Sequence, residues 1–68
     1  MFDLEYEKMV DVEVVVENGK YASVVSLDIA NFMLKANIVT VRNTSVEVRE
    51  IEVTDKGVIR FHGNPAKL

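Results

Sequence analysis

Apolar and polar residues alternate along two neighbouring stretches of the chain, residues 10–17 and 20–27. A period of two is typical of strands that bury one face. Between them lies Asn18-Gly19, the pair favoured in a two-residue type I′ turn because both central residues need a positive φ. The pattern therefore predicts a hairpin that pairs Val16 with Tyr21. Its expected core face comprises Val10, Val12, Val14, Val16, Tyr21, Val25 and Leu27.

Apolar residues also appear outside this core face. Val15, Ala22 and Val24 interrupt the opposite, polar face of the hairpin. At the N-terminus, apolar residues alternate with acidic ones with the period of a strand. Two interpretations remain open: this segment is an edge strand covering the patch, or it is an arm that adds to a partner's sheet. The residues predicted to bind a partner are Phe2, Leu4, Tyr6, Val15 and Val24.

After the hairpin, the apolar period changes to that of a helix. Ser26 or Asp28 can cap a helix that ends near Ala36. Its apolar residues recur at helical spacing at Ile29, Phe32, Met33 and Ala36. Its polar residues form one narrow line of Asp28, Asn31 and Lys35. A surface helix normally has a wider polar face. We therefore expect this helix to be nearly enclosed, by its own sheet or by another subunit.

Strand periods return in the last third of the chain. Residues 38–42 and 45–49 predict a hairpin closed by Asn43-Thr44, which would pair Val39 with Val48. The apolar phase then slips at Arg49-Glu50, where an extra residue would produce a bulge.

The last hairpin closes at Asp55-Lys56-Gly57, with the glycine in the left-handed position. This register sets Val53 beside Ile59 and Ile51 beside Phe61. On the other face it sets Glu52 opposite Arg60 and Glu50 opposite His62.

These elements predict an α+β fold of order β-β-α-β-β-β. We expect a curved antiparallel sheet of about five strands, with a possible extra N-terminal strand, packed on one short helix. Residues 1–62 would form a single small domain. Residues 63–68 contain turn residues and little to bury, so they are expected to form a flexible C-terminal tail.

Length and composition limit how this domain can be stabilised. A chain of 68 residues buries only about 60% of its extended surface on folding. It contains no cysteine, so disulfides and thiolate metal sites are excluded. A larger protein partner, or a second copy in a homodimer, is therefore the expected way of completing the core. There is neither an apolar run near 18 residues nor a signal peptide, which favours a cytoplasmic protein without membrane segments.

The charged residues indicate ion pairing more than catalysis. The strand register explains Glu50, Glu52, Arg60 and His62 as cross-strand ion pairs on a solvated face. The three glycines lie in turns or in the tail, and none forms a phosphate-binding loop. We predict no catalytic residues, no metal site and no cofactor, and hence a protein that is not an enzyme.

The surplus of apolar residues predicts a small non-enzymatic regulatory or adaptor protein that binds a larger protein. An inhibitor of a replication sliding clamp is one example, although the usual clamp-binding box begins with Gln and this chain has none. The alternative rests on the order strand, Gly turn, strand, short helix and further strands over residues 12–61, which resembles AbrB-like DNA-binding dimers. That resemblance implies a transcriptional regulator or antitoxin. It lacks the proline expected at the helix start, and the net charge of −3 disfavours nucleic acid.

Overall fold

The computed structural model describes residues 8–67 of the chain. These residues form the predicted order β-β-α-β-β-β, and the fold is α+β with a curved sheet and one short helix. The elements are β1 (Met9–Val16), β2 (Gly19–Ser26), α1 (Leu27–Met33), β3 (Ile38–Val41), β4 (Thr44–Val53) and β5 (Val58–Pro65). Phe2, Leu4 and Tyr6 lie outside the described residues, so the choice between an edge strand and an arm stays a prediction.

The sheet is mixed, with strand order β2-β1-β5-β4-β3. β1 and β5 are parallel, with Val12 beside Ile59 and Val14 beside Phe61, whereas the other pairs are antiparallel. The prediction of a wholly antiparallel sheet is therefore wrong. The sheet is mixed because of the path of the chain after β2. The chain crosses over through α1, β3 and β4 and returns as β5, which pairs with the free edge of β1 and runs in the same direction. The sheet curls until its two edge strands, β2 and β3, approach each other.

The core lies on the concave face of this curled sheet. Its buried side chains are Val12, Val14, Val16, Ala30, Val39, Val41, Val46, Ile59 and Phe61. Val10, Tyr21 and Val25 pack against them, as predicted. Leu27 does not belong to the core, because it is the first residue of α1 and remains exposed. Six of these nine core residues are valine, and Phe61 is the largest fully buried side chain.

Two of the three hairpins differ from prediction by a register shift of two residues. Val16 pairs with Gly19, and Val39 pairs with Val46. A shift of two leaves every side chain on its expected face, so hydrophobic alternation is equally compatible with both registers. The type I′ geometry occurs in the second of these hairpins, where Arg42 and Asn43 have φ of 51° and 66°.

The last hairpin has the predicted register. Val53 pairs with Ile59, and Gly57 has φ +83° in the loop. The predicted irregularity at Arg49-Glu50 is also present, as a shift of register between Val48 and Glu50.

Strand β5 continues beyond the boundary that was expected after His62. Residues 63–65 pair with Val46–Val48 of β4, and the Ala66 N–H donates to the Ser45 carbonyl at 2.9 Å. This boundary of the tail is therefore corrected. The bulge lies in β4 and shifts its register by one residue, and the part of β4 before the bulge then offers its backbone groups to residues 63–65. The flexibility expected of the remaining residues stays a prediction.

The helix α1 begins where the sequence predicts and ends earlier. The hydroxyl of Ser26 accepts a hydrogen bond from the Ile29 N–H at 3.3 Å, which is an N-cap. After Met33 the chain continues in tighter turns as far as Ala36. Of the seven residues of α1, Leu27–Met33, only Ala30 is buried. The expectation that its own sheet encloses the helix is wrong, because the sheet covers a single side of it.

Candidate interaction surfaces

The convex face of strands β2, β1 and β5 carries a shallow depression of ≈ 550 Å³, which we call the outer-face depression. Its lining residues are Asp11, Val12, Glu13, Ala22, Ser23, Val24, Arg42, Val58 and Arg60. The strand registers bring them together, except for Arg42, which lies in the turn between β3 and β4. Asp11 lies between Val24 on one side and Val58 on the other, and Glu13 lies between Ala22 and Arg60.

Apolar side chains at the outer-face depression are surrounded by charges of both signs. Ala22, Val24 and Val58 are its apolar residues on the outer face, and 53% of Val24 is exposed. Asp11 and Glu13 supply negative charge, and Arg42 and Arg60 supply positive charge. None of the ion pairs found among residues 8–67 involves Arg42. The arrangement is that of an apolar patch with a charged border.

The structure places the predicted partner-binding residues as follows. Val24 lines the outer-face depression. Val15 is half-buried on the same face, beside Lys20 and His62, and does not line it. Sequence reasoning missed Val58, because the parallel pairing of β1 with β5 leaves no local signal.

A row of ion pairs crosses the outer face next to this depression. Nε of Arg60 donates to Oε1 of Glu13 at 2.6 Å, and Nη1 of Arg60 lies 3.5 Å from Oε2 of Glu52. Nε2 of His62 lies 2.9 Å from Oε1 of Glu52. The predicted pair of Glu52 with Arg60 is confirmed. His62 instead bonds its diagonal neighbour Glu52, although Glu50 is its direct partner in the ladder.

These contacts shift the pKa values of two groups. The hydrogen bond from His62 lowers the pKa of Glu52 below its usual value; partial desolvation opposes this shift, and the positive charge of Arg60 adds to it. The hydrogen bond to Glu13 raises the pKa of Arg60 further above its already high value. Both groups therefore remain charged near neutral pH and hold the outer faces of β1, β5 and β4 together.

Among residues 8–67, no three side chains of His, Asp or Glu converge in a way that could hold a metal ion. Over the same residues, no helix has the length and apolar character needed to cross a membrane.

A second surface lies on the other side of β1 and β2, where α1 packs. A groove of ≈ 240 Å³ runs between α1 and β3. We call this groove and its rim the helix surface; its residues are Val25, Ile29, Phe32, Met33, Ala36, Ile38, Val39 and Thr40. Phe32 is 70% exposed at its rim, and Ile29 and Ile38 are each exposed by almost half. Seven of the eight lining residues are apolar, so this surface is the more hydrophobic of the two.

The outer-face depression and the helix surface thus lie on opposite faces of β2, since Val24 lines the first and its neighbour Val25 lines the second. Comparison of this chain with protein-family models, with curated proteins and with solved structures gave no match.

Proposed function

We propose that this protein is a small non-enzymatic regulatory or adaptor protein that binds a larger protein through the outer-face depression. The observation that carries the proposal is an apolar group of two exposed side chains, Ala22 and Val24, and the half-buried Val58, bordered by charges of both signs. Protein interfaces are built in this way, with an apolar centre that excludes water and a polar rim that fixes orientation. Docking of this kind serves regulation or inhibition of the partner, of which clamp inhibition is one example.

The size of the molecule is compatible with such docking. A standard interface covers about 800 Å² on each partner. The chain has an accessible surface of 4925 Å², so the interface would take about a sixth of it. The outer-face depression would lie at its centre, where the side chains that contribute most to affinity normally cluster.

The charge distribution favours a protein partner over nucleic acid. Binding to a phosphate backbone requires cationic side chains that are free to replace counterions. Arg49, Arg60 and His62 each contact a glutamate. Arg42 makes no ion pair within residues 8–67, but the net charge of −3 makes the chain repel phosphates overall. The acidic side chains beside the apolar patch would repel phosphates.

The proposal is tested with the full chain and two matched variants. Val24→Asp places a charge at the centre of the patch. Val53→Asp changes a valine that is somewhat more exposed than Val24, 66% against 53%, and that lies at the end of β4, outside the outer-face depression. The tagged chain is first used to isolate a stoichiometric partner from source lysate, and its affinity is then measured with purified components by calorimetry.

We expect Val24→Asp to weaken binding at least about tenfold, because an apolar contact is replaced by a desolvated charge. We expect Val53→Asp to bind like the wild type. Equal affinities for the two variants, or the absence of any stoichiometric partner, would contradict the proposal.

A further inference from the structure

The outward side of α1 carries a phenylalanine, Phe32, that no other residue between positions 8 and 67 buries. Ala30 is buried and Met33 packs on the core, so they define the inner side of the helix. Phe32 projects away from them and is 70% exposed. Burial of such a side chain is among the larger favourable contributions that one residue can make. An uncovered phenylalanine on so small a protein therefore indicates a surface that is covered in the functional state.

Phe32 stands at the rim of the groove that lies between α1 and β3. A protruding apolar side chain and an apolar hollow thus occupy the same surface, side by side. A two-fold interface requires this kind of self-complementarity, because the same patch must serve as both partners. When two copies face each other across a two-fold axis near Phe32, the phenylalanine of each copy can enter the groove of the other.

The charges next to Phe32 select the direction in which two such helices would pack. Asp28 lies four residues before Phe32 within α1. Lys35 follows Phe32 by three residues in the tighter turn after α1, where its N–H donates to the Phe32 carbonyl at 3.1 Å. Both residues therefore lie on the side of the turn that carries Phe32. No ion pair among residues 8–67 includes either of them. In an antiparallel pair, Asp28 of each copy would face Lys35 of the other. In a parallel pair, like charges would meet.

Strand β3 gives a further reason for contact at this place. Its sequence, Ile-Val-Thr-Val, contains neither charge nor proline, although β3 is an edge strand of the sheet. Charged residues or proline normally protect an exposed sheet edge against pairing with another strand. The other edge strand, β2, carries Lys20. A second copy on the helix surface would cover the start of β3 at Ile38.

From these observations we infer that the helix surface is a self-association surface. Two copies of the chain pack their α1 helices antiparallel about a two-fold axis, with Phe32 of each copy in the groove of the other. Asp28 of each copy pairs with Lys35 of the second copy. The outer-face depression lies on the opposite side of β1 and β2, so the dimer would present two such depressions to a partner.

The first experiment measures the oligomeric state of the full chain by analytical ultracentrifugation from micromolar to millimolar concentration. We expect a monomer–dimer equilibrium. Phe32→Asp should weaken the dimer by a factor of about 30 or more, as expected for the central residue of an interface. Phe32 is mostly exposed in the monomer, so circular dichroism of the variant should show an intact fold. The control variant Val53→Asp should dimerise like the wild type.

The second experiment exchanges the charges. Asp28→Lys and Lys35→Asp should each weaken the dimer, because each sets like charges opposite one another. The double variant, D28K with K35D, should restore it. The cost of a lysine in the first turn of the helix is the same in the single and double variants, so recovery isolates the contact between copies.

A wild type that is monomeric throughout the concentration range would overturn the inference, as would a Phe32→Asp variant that dimerises unchanged. Failure of the double charge exchange to restore the dimer would overturn the antiparallel arrangement. A monomer that dimerises only when residues 1–7 are deleted would assign the groove to the N-terminal segment instead. The proposed function is tested separately, because Val24→Asp should lose the larger partner and remain dimeric.

Discussion

Replacement of Gly63 by alanine tests the arrangement of β4 and β5 beyond the bulge. Gly63 pairs with Val48, just past the irregularity at Arg49. A Cβ atom added to Gly63 would lie 2.8 Å from the carbonyl carbon of Glu47 and closer still to its oxygen. This neighbour is backbone, so no flexible side chain can move aside. The prediction is a substantial loss of stability from the addition of one methyl group.

The size of the loss follows from the distances. Carbon atoms pack best at about 3.5–4.0 Å, so the two strands must separate by on the order of 1 Å. Overpacking of this kind costs about 1–3 kcal/mol. Weakening of one neighbouring ladder hydrogen bond, such as that between Glu47 and Asn64, adds about 1 kcal/mol. The total of about 2–4 kcal/mol is a large share of the roughly 3–10 kcal/mol available to a chain of this length.

The loss in free energy of unfolding is measured by urea unfolding monitored by far-ultraviolet circular dichroism. All variants are compared at one protein concentration, because self-association would otherwise change the apparent stability. With a slope of about 1 kcal/mol/M, the midpoint for Gly63→Ala should fall by about 2–4 M. Asn64→Ala, the next and exposed residue, should change the free energy of unfolding by less than about 0.5 kcal/mol. Gly57→Ala should cost about 1 kcal/mol, because space is open there and only φ +83° is strained. A Gly63→Ala protein as stable as Asn64→Ala would refute the reasoning and place residues 63–65 outside the sheet.

Two further predictions concern the Arg42 turn and the Glu52 ion pair. Arg42→Asn should raise the free energy of unfolding by about 0.5–1 kcal/mol, because asparagine tolerates the left-handed φ of 51° better than arginine does; equal or lower stability in urea would contradict it. The lowered pKa of Glu52 means that its contribution to stability is complete above about pH 4.3, its usual unfolded value, and is lost as pH falls through the folded pKa. His62→Ala should raise the pKa of Glu52 towards that value in a side-chain NMR titration, and an unchanged titration would show that the 2.9 Å contact is not made in solution.

Between its loop and the bulge, the hairpin of β4 and β5 has the register that was predicted, and the loop explains why. Gly57 has the positive φ that its place in the loop requires, and Oγ1 of Thr54 accepts from the Lys56 and Val58 N–H groups at 3.3 Å and 3.2 Å. These are local interactions, so they are readable from sequence. The hairpin of β1 and β2 was displaced by two residues because its turn uses Glu17 and Asn18 rather than Asn18 and Gly19.

The candidate surfaces were predictable only in part. Val24 was identified because it interrupts a polar face, and it does line the outer-face depression. Its neighbours Val58 and Arg60 come from β5, at the far end of the chain. The apolar character of α1 was also clear from its spacing. The sequence did not indicate which side of the helix the sheet would cover, so the exposure of Phe32 was missed.

The sequence by itself determined the type and order of the elements, the face that each strand buries, and the positions of the bulge and of the last turn. These features depend on period and on the φ preferences of single residues, which act over a few positions. Only the tertiary structure decided that β5 lies parallel to β1, where β5 ends, and which apolar residues meet on a common surface. Several strand orders satisfy one alternating pattern equally well, and the choice among them depends on packing between residues such as Val14 and Phe61 that are distant in the chain.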